Sequence, residues 1–202
     1  MAVVTTELIK KLRNQTGAGM MDCKRALEET DGNMEQAIEY LRKKGAATSA
    51  KRADRETNQG VVEAYIHAGG RIGAMVELNC ETDFVAKTPD FKALAHDLAM
   101  QITAMNPRYV SREQVEQETI AKELEIYTTQ AVNEGKPANI AEKIAQGRLD
   151  KFYQEVCLLE QSFIKDSGKT IRDLLNEATG KVGEKISVRR FLRYHLGEDG
   201  AS

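Results

Sequence analysis

The hydrophobic period of this chain changes at Gly60. Up to about Gly45 the apolar residues recur three and four apart. From Gly60 onward Val62, Ala64 and Ile66 alternate with Glu63, Tyr65 and His67, a period of two. Side chains alternate across a strand and repeat every 3.6 residues on a helix, so this switch marks a passage from helix to sheet. Ala68-Gly69-Gly70-Arg71 then supplies a hairpin turn, because paired glycines tolerate positive φ. Ile72, Ala74, Val76, Leu78 and Cys80 alternate in the return strand. The period of two comes back only near the far end, in KISVRRFLRYHL. There Ile186, Val188, Leu192 and Tyr194 fall on one side, and Phe191 lies among Arg189, Arg193 and His195 on the other. The pattern predicts an α+β fold: a three-stranded antiparallel sheet whose third strand arrives after a long helical excursion, with helices covering it.

The first 45 residues read as a three-helix module. Leu8, Ile9 and Leu12 make one stripe, which Thr16-Gly17-Ala18-Gly19 breaks. Cys23, Ala26, Leu27 and Thr30 make the second. After the Asp31-Gly32 turn, Asn33 is placed as an N-cap with Gln36 in capping-box position. Met34, Ala37, Ile38 and Leu41 form the third stripe, and Gly45 is expected to close it as a C′ residue. Residues 46–59 carry no apolar stripe and read as a linker to a core domain over 60–196, with a flexible tail at 197–202.

The excursion has its own punctuation. Thr88-Pro89 is an N-cap followed by proline in the first turn. Phe91, Leu94, Ala95, Leu98, Ala99, Ile102 and Met105 then define an amphipathic helix, ended by Asn106-Pro107. Residues 111–157 read as a projecting antiparallel helical hairpin. Ser111 and Gln114 are expected to cap its start, and Ile120, Leu124, Tyr127 and Ala131 form a seam. Asn133–Pro137 reverses the chain, and Ala141, Ala145, Leu149, Phe152 and Val156 return along the partner helix. A last helix is expected near Thr170–Thr179.

Composition limits the function. Of 202 residues, 30% are charged, and the net charge of −2 lacks the basic excess of a dedicated nucleic-acid binder. Cys23, Cys80 and Cys157 are odd in number and show no CxxC spacing, so neither a disulfide framework nor a zinc site is expected. No apolar run reaches membrane-spanning length, and a cytoplasmic protein is the simplest expectation. TGAGMMDCK lacks phosphate-loop spacing and sets Asp22 where a phosphate would sit. His67, His96 and His195 have no metal-ligand company, and no nucleophile, base and orienter can be assembled. Catalytic residues, metal ligands and cofactors are therefore all expected to be none.

Two features call for an outside partner or an unusual core. Phe84 stands in NCETDFVA beside Asp83, among charges, at a strand exit. It reads either as a satellite residue packing under the helix from Pro89 or as an exposed anchor. Met20 and Met21 are adjacent at a helix start and point about 100° apart, so both are hard to bury in so small a module. Core filling and an adaptable partner surface remain alternatives. The basic cluster Arg42, Lys43, Lys44, Lys51, Arg52 and Arg55 contains no aromatic for base stacking. It leaves open a second reading, an RNA- or ribosome-associated binding module.

Three stretches carry a family resemblance. LRNQTGAGMMDCKRAL with ALEETDGNMEQAIEYLRKKGA resembles the N-terminal module of the elongation factor Ts family. LNCETDFVAK resembles that family's central TDFVA signature, and NEGKPANIAEKIAQGRLDKFYQEVCLLEQSFIKD its helical hairpin and following segment. They occur in family order, span essentially the whole chain, and match the short form with one core unit. The resemblance implies a guanine-nucleotide exchange factor that binds elongation factor Tu–GDP during translation elongation and allows GTP to reload. It implies an N-terminal module similar to a ubiquitin-associated domain, with Arg13, Met20 and Met21 on the surface gripping Tu. Asp83 and Phe84 would form the element that intrudes into Tu's nucleotide-binding domain and loosens the magnesium and phosphate contacts, and His67 would make a further contact. It also implies a homodimer formed through the sheet or neighbouring surfaces, with no small-molecule substrate, no membrane and no nucleic acid as partner.

Overall fold

A computed structural model describes residues 4–198, so only the first two residues of the expected 197–202 tail lie within it. It is α+β, with the three-stranded antiparallel sheet that the period switch predicts. The elements are α1 (Thr6–Thr16), α2 (Met20–Glu29), α3 (Met34–Lys51), β1 (Gln59–Ile66), β2 (Ile72–Cys80), α4 (Asp83–Ala86), α5 (Pro89–Met105), α6 (Gln117–Asn133), α7 (Ala138–Val156), β3 (Ser162–Phe163), β4 (Asp166–Thr170), α8 (Ile171–Val182) and β5 (Ser187–His195). The main sheet has the order β1-β2-β5, and β3 pairs with β4 in a small separate ribbon.

The chain divides into two compact units. The first gathers the residues up to Val62, Glu77–Ala93 and Arg172–Ser187; the second gathers Glu63–Val76, Leu94–Ile171 and the residues from Val188 onward.

In the first unit, Ile9, Leu12, Cys23, Ala26, Leu27 and Ala37 form a buried cluster under Leu8, Met34 and Leu41. The caps are local. Thr5 Oγ1 accepts from the Leu8 N–H at 3.2 Å, and Asn33 Oδ1 from the Gln36 N–H at 3.1 Å. Gly17 takes φ 67° and donates its N–H to the Arg13 carbonyl, closing α1. Gly45 does not close α3. It is buried within a helix that runs on to Lys51, so the first residues of the expected linker are helical. The reason is tertiary. A Cβ on Gly45 would come within 2.9 Å of the Asn176 carbonyl oxygen of α8, and one on Gly180 within 3.0 Å of the Gly45 Cα. The glycine serves a backbone-to-backbone helix crossing, not a left-handed cap.

In the second unit, α6 and α7 form the expected antiparallel hairpin. Leu149, Phe152, Tyr153 and Val156 are buried at its base against the flanking Ile120, Leu124 and Tyr127. Ser111 and Gln114 do not cap α6. They bracket a single 3₁₀ turn, where Gln114 Oε1 accepts from the Val110 N–H at 2.7 Å; α6 begins later, after Glu116. Arg112 anchors the base by pairing with Asp150 at 3.0 Å and Glu160 at 2.8 Å while lying 4.7 Å over the Tyr153 ring. Two core glutamines are satisfied by each other and by the backbone: Gln101 Nε2 donates to Gln161 Oε1, Gln101 Oε1 accepts from the Ile164 N–H, and Gln161 Nε2 donates to the Glu155 carbonyl. Buried amides persist in a core only when so partnered.

Candidate partner-binding site

Phe84 is not carried on the strand itself. β2 ends at Cys80, Glu81 and Thr82 bend the chain, and Phe84 is the second residue of the one-turn helix α4. Its side chain is not packed under α5, because the residue is 79% exposed. The neighbouring Ala86 is buried and fixes the inner side of the turn. Asp83 pairs with Lys87 at 2.6 Å, and that partner holds its carboxyl below the ordinary aspartate range.

The root of this turn is strongly tied. Glu81 Oε1 accepts from Arg52 Nη1 at 2.8 Å and from the Lys185 N–H at 2.7 Å. Glu184, in the loop after α8, accepts from the Thr82 N–H at 3.0 Å and from Thr82 Oγ1 at 2.7 Å. The Cys80 thiol donates to the Thr82 carbonyl at 3.1 Å. Burial, with the Glu184 carboxylate adding to it, pushes that thiol up to about 11, so it stays protonated and remains a donor. The carboxylate ties follow no local spacing rule; Glu184 lies 102 residues from Thr82. Sequence reasoning missed them for that reason.

Met20 and Met21 open α2 and stay outside the buried cluster, at 39% and 69% exposure. Arg13 is exposed in the last turn of α1. Arg13, Met20, Met21, Asp83 and Phe84 thus all belong to the first compact unit. His67 belongs to the second. It is exposed at the hairpin turn, and its Nδ1 lies 3.1 Å from the Tyr65 hydroxyl. Tyr65 meets His96 of α5 edge-on, and His96 pairs with Glu63 at 3.0 Å. His195 turns instead to Glu198 at 2.7 Å. Among the described residues, no group of three or more His, Cys, Asp or Glu is arranged to hold a metal, and no helix is long and apolar enough to cross a membrane.

The basic cluster is largely matched within the chain. Arg42 pairs with Asp173, Lys43 with Glu39, Lys44 with Asp22, and Arg52 with Glu81. Neutralised cations offer little to a phosphate backbone.

The second unit also leaves one sheet face open. Ile66 of β1, Met75 of β2, and Leu192 and Tyr194 of β5 are large apolar residues exposed there. A cleft of about 430 Å³ lies on this face, lined by Ile66, Arg71, Met75, Tyr194 and Leu196 among others.

The family model described as "Elongation factor TS" matches residues 4–198. Among curated relatives, the Elongation factor Ts of Carboxydothermus hydrogenoformans is 62% identical over 196 residues, covering 97% of this chain and 90% of that protein. That of Moorella thermoacetica is 64% identical over 190 residues, 94% of each. That of Desulforamulus reducens is 60% identical over 198 residues, covering 98% of this chain and 91% of its own length. The chain belongs to the elongation factor Ts family of translation elongation factors.

Proposed function

We propose that this chain promotes GDP release from elongation factor Tu by lodging Phe84, with Asp83 beside it, in Tu's nucleotide-binding domain and loosening the magnesium and phosphate contacts of the nucleotide. The observation that carries this reading is the 79% exposure of Phe84 on a turn whose root is held by side chains. A large apolar ring left in water on a fixed mount is an anchor awaiting a pocket. Exchange requires no bond chemistry in this chain. It requires only a ternary complex in which partner and nucleotide each weaken the other's binding.

The magnitudes call for more than one contact. Burying one phenylalanine contributes about 1.5–3 kcal/mol, or about one to two decades of affinity. A wedge of that size does not displace a tightly held nucleotide alone. Arg13, Met20 and Met21 would add docking surface, with flexible thioethers that adapt to the partner, and His67 a further contact. We also propose that two copies pair through the open sheet face around Ile66, Met75, Leu192 and Tyr194. These neighbouring strands carry apolar side chains that the described residues leave about half or more exposed.

The test is release of a fluorescent GDP from purified Tu. Phe84→Ala should slow stimulated release by about one to two decades while the protein keeps a cooperative melt. Release at the unaltered rate sinks the wedge. A salt-sensitive RNA complex without any effect on GDP would favour a nucleic-acid module instead.

A further inference from the structure

A helix of four residues has no stability of its own, because nucleation costs more than its few hydrogen bonds return. The bonds within α4 are few and long: the Ala86 N–H reaches the Thr82 carbonyl at 3.4 Å, and the Lys87 N–H reaches Asp83 at 3.2 Å. The exposed Phe84 ring has little packing of its own to aim it, and the Asp83–Lys87 pair lies on the surface, where such pairs contribute little. The direction of the ring is therefore set at the two ends of the turn: by buried Ala86 and the Thr88 hydroxyl, which donates to the Val85 carbonyl, at one end, and by the groups that hold Thr82 at the other.

Thr82 is the N-cap of α4, yet its hydroxyl makes no capping bond to the helix. The hydroxyl and the backbone N–H both donate to the two oxygens of Glu184. The arrangement is reciprocal. Glu184 takes the N–H of Thr82, and Glu81, the residue before Thr82, takes the N–H of Lys185, the residue after Glu184. Two short segments clasp each other through paired carboxylate–amide bonds, which are stronger than neutral ones. We propose that Glu184 is a positioning residue for nucleotide release: by gripping Thr82 at two points it fixes the turn from which Phe84 projects. This rests on the exchange reading above and adds to it a residue that acts through Phe84.

Replacement by glutamine keeps the shape and can keep both contacts, the amide oxygen accepting from the Thr82 N–H and the NH2 donating to the hydroxyl, but it removes the charge that strengthens them. With the fluorescent GDP assay, Glu184→Gln should lower the saturating release rate about tenfold, the scale of two hydrogen bonds that each lose the assistance of a charge. The concentration giving half of that maximum should change little, since the Met20 and Met21 surface is intact. Thr82→Val, which removes only the hydroxyl bond, should give a smaller loss of the same kind, and it carries the test should Glu184→Gln fail to melt cooperatively. In a Phe84→Ala background, Glu184→Gln should cost nothing further. An unchanged saturating rate overturns the proposal, as does an equal cost with and without Phe84, which would mark a general structural role. If Phe84→Ala itself leaves release unaltered, the wedge reading fails and the positioning role falls with it. If Phe84→Ala slows release and Glu184→Gln does not, only the positioning role is lost.

Discussion

Glu81 accepts from the Lys185 backbone and from the Arg52 guanidinium at once, and these bonds hold its carboxyl below the ordinary value of 4.5. A carboxyl depressed on folding contributes stability that is complete above its unfolded value and is lost as pH falls through its folded value. Thermal melts from pH 7 downward should therefore lose stability below about pH 4.5, in part through this group. Glu81→Gln should cost about 1–3 kcal/mol at neutral pH and flatten that acid limb. Equal acid slopes for both proteins would show that Glu81 does not carry the dependence. Phe84 marks what the sequence could and could not reveal at this scale. In a chain with 5% aromatics, a ring among charges is conspicuous, but the letters around it are compatible with packing, which they favour slightly, as well as with exposure. The carboxylates that hold its turn were invisible, because Glu184 and Thr82 are joined across 102 positions by folding alone.

Elements were legible where their causes are local. The alternation in β2 and the caps at Asn33 and Thr88 follow from neighbouring residues, and Thr88 Oγ1 accepts from the Phe91 N–H as an N-cap should. Two boundaries departed from expectation for the opposite reason. Gln114 satisfies Val110 in place of a helix start. Gly45 looks like a helix terminator because glycine commonly ends helices, yet it sits inside α3 to let α8 approach. That contact sets the prediction at this scale. Gly45→Ala places a methyl 2.9 Å from the Asn176 carbonyl oxygen, a backbone atom that cannot swing away. The alanine gains helix propensity of about 1 kcal/mol but should lose about 1–3 kcal/mol to overpacking. Denaturant unfolding should show no stabilisation. A clear gain, as at an open helix glycine, would mean that the crossing relaxes freely.

For the whole molecule, the period switch at Gly60 and the late return in β5 were enough to give the α+β class and a three-stranded antiparallel sheet; the order β1-β2-β5 is seen only in the structure. The open sheet face was harder to foresee. Alternation identifies two faces without saying which of them is covered, and the β1 residues Ala64 and Ile66 lie on the uncovered one. Leu192→Asp puts a charge on that face, where Leu192 is 52% exposed. Sedimentation equilibrium should give the mass of a dimer for the parent chain and of a monomer for the variant, with the melt preserved. A monomeric parent would dismiss the sheet as a pairing surface.

The unbroken course of α3 carries a consequence for how this chain tolerates change in length. Each residue added to a helix advances it 1.5 Å and turns everything beyond by about 100°. An extra residue after Gly45 would swing Arg52 away from Glu81 and unseat one of the ties beneath Phe84. The stretch 46–51, polar and alanine-rich as any spacer, therefore works as a ruler: what it fixes is the number of residues between Gly45 and Arg52.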